Sequence, residues 1–179
     1  MEVRKLMAPL AVLALSAAIL LGLSAALKGP ARTNRAEEQQ RVMALLLPGS
    51  RTFTQEEYTG EDSKISAVFR GEGGYVVETT LKGYVDEMTL WVGVNQKGSV
   101  TGITVRDMAE TWGLGRNAMT DPAFLRQFLH TTGNAALGEN IQALTGATVT
   151  SKEVVRAVNS ASAFVTGADI SSGATEWGG

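Results

Sequence analysis

The chain has 179 residues, 44% of them apolar, with 20 Gly, 4 Pro, a single His and no Cys. That length suits one domain with accessories; without cysteine there is no disulfide, no cysteine-held iron–sulfur cluster and no zinc knuckle, and His130 alone makes no multi-histidine metal site. The net charge of −2 hides an asymmetry, because Arg4, Lys5, Lys28, Arg32 and Arg35 face only Glu2 in residues 1–35 and leave the other 144 residues at −6, a poor nucleic-acid binder.

The first element in chain order is an uncharged run of 22 residues, Leu6 to Leu27. As a helix it would be roughly 33 Å long, enough for a hydrocarbon core of about 30 Å. A secretory signal is the other reading, but its apolar region is typically about 7–15 residues. Length favours an uncleaved transmembrane anchor at 6–27, after a short segment 1–5. Residues 28–50 then read as a connector and a packing helix. In "AEEQQRVMALLLPGS" acidic residues open the helix, Val42, Leu45 and Leu46 recur at helical spacing, and Pro48-Gly49 stops it.

Residues 64–69 and 75–82 read as strands joined by the glycine-rich turn "RGEGG". "MTLWVGV", "NQKG" and "SVTGITV" then form a β-hairpin. Leu90, Val92 and Val94 alternate with Trp91 and Gly93, which predicts one buried face. In "DPAFLRQFLH", Asp121 is placed to cap a helix that Pro122 opens, with Phe124, Leu125, Phe128 and Leu129 as its buried stripe. His130 at its end is read as a solvated residue. The last helix begins near Thr150 and presents Val154, Val158, Ala161 and Val165 on one face before Gly167. Strands in the middle and helices around them, without βαβ alternation, give an α+β fold with an antiparallel-rich sheet. The domain extends over 51–167, with a Gly/Ser-rich tail at 168–179.

Two loops offer chemistry. Ahead of the last helix stands "LTGATVTSKEVV", in which Thr150 and Glu153 fit a capping box. Thr145, Gly146, Ala147 and Thr148 precede it with two hydroxyls and a backbone that a ligand can approach closely. A helix start favours an anion, so this is either a phosphate-contacting site or an ordinary loop and cap. The second loop is "AETWGLG": Glu110, Thr111, Trp112, Gly113, Leu114 and Gly115. Its glycines permit close approach of a flat ligand, and Trp112 is suited to stack on one or to cover the core.

Together "ETWGLG" and "TGATVTS" resemble the FMN-binding domain family, in particular the G subunit of the Rnf electron-transport complex, over nearly the whole chain. Two positions depart from the family's usual pattern: Trp112 replaces a Pro, and Gln142 stands where an Asp is frequent. The resemblance implies FMN joined through its phosphate to Thr148 as a phosphoester, with Thr145, Gly146, Ala147, Thr150 and the 110–115 loop around the cofactor. It also implies an extracytoplasmic flavin transferase that uses FAD, other membrane and peripheral Rnf subunits as partners, and a single-pass location in the cell membrane with the bulk of the chain outside. The implied role is electron relay between reduced ferredoxin and NAD, coupled to ion movement, with no catalytic centre beyond the flavin. The C subunit of the sodium-translocating NADH:quinone reductase and a membrane-bound regulatory FMN protein are the alternatives. The tail repeats the motif as Ser172-Gly173-Ala174-Thr175, but with four residues behind it no helix can follow.

Overall fold

Five consecutive strands form an antiparallel meander in the order β1-β2-β3-β4-β5. They are β1 (Thr54–Glu56), β2 (Ile65–Gly71), β3 (Gly74–Lys82), β4 (Glu87–Asn95) and β5 (Val100–Met108). The computed structural model describes residues 13, 15–19, 22, 35–82, 87–108 and 121–168. It divides into two units, Met1–Gln39 and Gln40–Gly179.

In the first unit residues 13, 15–19 and 22 are helical, with Leu13, Leu15 and Ile19 exposed. Among the described residues no helix is long and apolar enough to cross a membrane. The rest of the expected 6–27 anchor lies outside the described residues, as do the tail from 169 onward and the whole of 110–115.

In the second unit the sheet is covered on both sides. On one face Leu90, Val92 and Val94 of β4 meet Val77 of β3 and Val154, Val158 and Ala161 of a long helix. On the other, Trp91, Val76 and Phe69 meet Met43 and Leu46 of a helix, and Leu47 just after it. We call its residues 40–46 α1, the short helix Pro122–Arg126 α2 and the long helix Thr148–Thr166 α3. Fully burying one such large apolar side chain is worth about 1.5–3 kcal/mol, so two covered faces stabilise the sheet far more than one.

The hairpin therefore departs from expectation. Trp91 is 3% exposed, and the alternation in β4 separates two cores rather than a core from solvent. A second correction concerns α1, whose buried stripe is Met43, Leu46 and Leu47, while Leu45 is 79% exposed. The run "VMALLL" carries two stripes of the same period, one residue apart, and contact with the sheet selects the second. The short edge strand β1 had no signal of its own.

The other elements follow the sequence closely. Gly71 and Gly74 close the β2–β3 hairpin. Asp121 caps α2 by accepting from the amides of Ala123 and Phe124, with Pro122 beside it. α2 is only five residues long and continues as turns to His130, which is exposed and carries a positive φ of 68°. Phe124 and Phe128 are buried edge to face, 5.3 Å apart. Gly167 ends α3 in the left-handed conformation, φ 67°.

Candidate functional site

α3 has 19 residues and the central strands nine, so both are close to 30 Å long. At one end of the sheet Gly98, in the β4–β5 turn, lies against Thr166 and Ser162 near the end of α3. The helix start accordingly lies toward the opposite end, where Met88 pairs with Met108 and Lys82 with Glu87. Lys64, just before β2, confirms the direction: its amine reaches Glu153 at 3.3 Å, and its carbonyl accepts from the Thr80 amide. Met108 is the last described residue before the 110–115 loop. The fold thus brings the end of the strand leading into one candidate loop, and the start of the helix that follows the other, to the same end of the sheet.

The loop ahead of α3 has a defined geometry. Ala147 donates to the Leu144 carbonyl at 3.0 Å, closing a turn around Thr145 and Gly146. Gly146 adopts φ 80°, the value that a type II turn demands of its third residue and that glycine reaches without strain. The glycine is therefore required by the turn itself. Leu144 is half-buried, Thr145 and Gly146 are exposed, Ala147 is buried, and Thr148 and Val149 are exposed.

The capping box is not formed. The N-cap is Ala147, whose side chain makes no cap hydrogen bond, and Thr148 is the first helical residue. Thr150 falls in the first turn and is 2% exposed, its side chain turned into the protein. Glu153 pairs instead with Lys64 and, at 2.6 Å, with Arg156. The physical reason lies in Gly146: the turn it closes brings the chain into helical geometry three residues earlier than a cap at Thr150 would.

This arrangement suits a phosphate. The first amides of an α-helix have no acceptor within the helix, the Ala147 side chain offers them no cap, and the first turn holds no acidic residue. The positive end of the helix dipole therefore faces out beside the exposed Thr148 hydroxyl. A groove of 1040 Å³ lies elsewhere, between the β1–β2 connection and the later turns of α3; Tyr58, Asp62, Arg156 and Phe164 line it, and none of residues 145–148 does.

Two further contacts had no sequence signal. The Ser151 hydroxyl donates to the Ala147 carbonyl at 2.9 Å and accepts from the Leu144 amide at 3.3 Å. The Gln127 carboxamide grips the backbone of Gln142, accepting from its amide at 2.8 Å and donating to its carbonyl at 3.3 Å. Both tie down the segment that leads to Thr148.

The FMN-binding domain family matches residues 83–163, a span that contains both loops. The G subunit of an ion-translocating oxidoreductase complex from Methanosarcina acetivorans is 30% identical over 179 aligned residues, covering 92% of this chain and 95% of that one. The G subunit of the Na⁺-translocating ferredoxin:NAD⁺ oxidoreductase complex of Acetobacterium woodii is 37% identical over 95 residues, covering 48% of this chain and 46% of its own. Its counterpart in the proton-translocating ferredoxin:NAD⁺ oxidoreductase complex of Clostridium ljungdahlii is 39% identical over 99 residues, 51% and 53% of the two chains. With so little of the first of these relatives left unaligned, the chain belongs to the FMN-binding domain family, as a homologue of the Rnf complex's G subunit.

Proposed function

We propose that the chain is the FMN-carrying subunit of an ion-translocating ferredoxin:NAD oxidoreductase complex, with FMN held as a phosphoester on Thr148. The observation that carries this reading is Thr148 itself, an exposed hydroxyl on the first residue of an uncapped helix of 19 residues. Likeness to the G subunits of three ion-translocating complexes supports the assembly.

In this reading the Thr148 oxygen holds the phosphorus, and the free amides of the first turn face the remaining phosphate charge. An anion there gains about 0.3–1 kcal/mol. Thr145 and Gly146 border the ester from the turn, with Ala147 and Thr150 as its buried support. Residues 110–115 line the flavin from the β5 side, with Trp112 available to stack. Bound FMN supplies the redox chemistry; the protein sets its place and surroundings. Residues 6–27 anchor the chain, and the domain at 51–167 lies outside the cytoplasm, where a flavin transferase reaches Thr148.

Peptide mass spectrometry of the protein purified from its membrane tests the assignment. The fragment holding Thr148 should carry the added mass of an FMN ester. That mass on the Thr175 fragment would move the attachment site, and its absence from both would end the covalent reading.

A further inference from the structure

The turn that presents Thr148 is held from within the helix. Ser151 is fully buried, and its hydroxyl joins two backbone groups of that turn, the Ala147 carbonyl and the Leu144 amide. The Ser151 amide also donates to the Ala147 carbonyl, at 2.9 Å. A serine within a helix commonly returns a hydrogen bond to the carbonyl four residues before it. Here the same oxygen also satisfies the amide at the far side of the turn, so both ends of Leu144–Ala147 are fixed to one atom.

We propose that Ser151 is a positioning residue for flavin attachment, setting the Thr148 hydroxyl for attack by locking the 144–147 turn against the helix. This rests on Thr148 being the attachment site. In the attachment step the Thr148 oxygen bonds to the FMN-side phosphorus of FAD and the pyrophosphate P–O bond breaks. AMP leaves with that electron pair, and the hydroxyl proton passes to water. Nothing is oxidised or reduced. Ser151 touches none of these atoms; it restricts where the attacking oxygen sits, which is where orientation governs rate.

Ser151→Ala removes the hydroxyl with little change of volume and favours the helix, so the domain should still fold. Ser162→Ala is the control, because the Ser162 hydroxyl is equally buried in α3 and has no hydrogen-bond partner among the described residues. The full-length chain, produced without flavin, is incubated with purified flavin transferase and FAD, and the initial rate of loading is read by in-gel flavin fluorescence. Ser151→Ala should load roughly tenfold more slowly, as expected for two lost hydrogen bonds, while Ser162→Ala loads like the unmodified chain. Amide hydrogen exchange of the unloaded protein is the second readout, and Ser151→Ala should speed exchange at Leu144. Loading at the unmodified rate, or unchanged exchange at Leu144, overturns the role of Ser151 while leaving Thr148 as the attachment site. An unmodified chain that never loads removes both.

Discussion

Gly93 and Gly102 sit directly opposite each other on β4 and β5, and the end of α1 rests on the pair. A Cβ at Gly93 would come within 2.2 Å of the Leu46 carbonyl oxygen, and one at Gly102 within 2.8 Å of the Leu46 Cα. Both obstacles are backbone, so neither can rotate away. Thr101 completes the seat by donating its hydroxyl to the same carbonyl at 2.6 Å. We expect Gly93→Ala and Gly102→Ala each to cost about 1–3 kcal/mol by overpacking, with Gly93→Ala the more severe. Denaturant unfolding measures both. The double variant should cost less than the two together, since one displacement of α1 relieves both clashes.

Glu78 holds the same face of the sheet further along. Its carboxylate accepts from the Trp91 indole at 2.8 Å and from the Ser66 hydroxyl at 3.0 Å, and it pairs with Arg106, whose guanidinium lies 4.9 Å from the Trp91 ring centre. Glu78→Ala would leave a buried indole N–H unpaired, at a cost of about 1–3 kcal/mol. Trp91→Phe in addition should recover part of that loss, because the orphaned donor is then gone. A double-mutant cycle followed by denaturant unfolding checks it; purely additive losses would mean that Trp91 does not depend on Glu78.

Glu153 separates the two accounts of the helix start. In a capping box its carboxylate would serve the Thr150 backbone, and its loss would fray the first turn. In the structure it pairs with Lys64 and Arg156, whose side chains are 32% and 45% exposed. Pairs of that exposure contribute about 0.2–1 kcal/mol after screening. Glu153→Gln should therefore cost less than about 1 kcal/mol, with the loss shrinking as salt rises. Hydrogen exchange in the first turn of α3 should not change. Fraying there would restore the capping box.

The contrast shows where sequence pattern was a sufficient guide. The α+β class, the central hairpin, the Asp121-Pro122 start and the Gly167 stop were legible because each depends on neighbours in the chain: alternation, a cap, a glycine. The covered second face around Trp91 was not, since alternation reports two environments without saying that both are dry. The stripe on α1 was ambiguous by one residue for the same reason, with the sheet as arbiter. At the candidate site the loop and the helix behind it were legible and the register was not. Threonine three residues before glutamate has the form of a cap, yet the turn at Gly146 starts the helix earlier and turns Thr150 inward. Ser151 and Gln127 could not be found at all, because each acts on backbone groups that no pattern of side chains announces.

Thr148 is the residue on which the flavin reading stands, and the structure makes its substitution clean. It is the exposed first residue of α3, outside the buried core. Thr148→Val keeps the branched shape and differs little in helix propensity, so stability should stay within about 0.5 kcal/mol. The hydroxyl alone is lost. The protein should fold, keep its melting temperature and run without flavin fluorescence on a denaturing gel. Thr148→Ser restores a hydroxyl at the same place and should regain the fluorescence. Thr145→Val should remain fluorescent, because its hydroxyl sits in the turn ahead of the helix. Thr150→Val should too, its side chain being buried away from any transferase. Full fluorescence in Thr148→Val would sink the assignment, and its loss in Thr145→Val with Thr148 intact would move the ester to the turn.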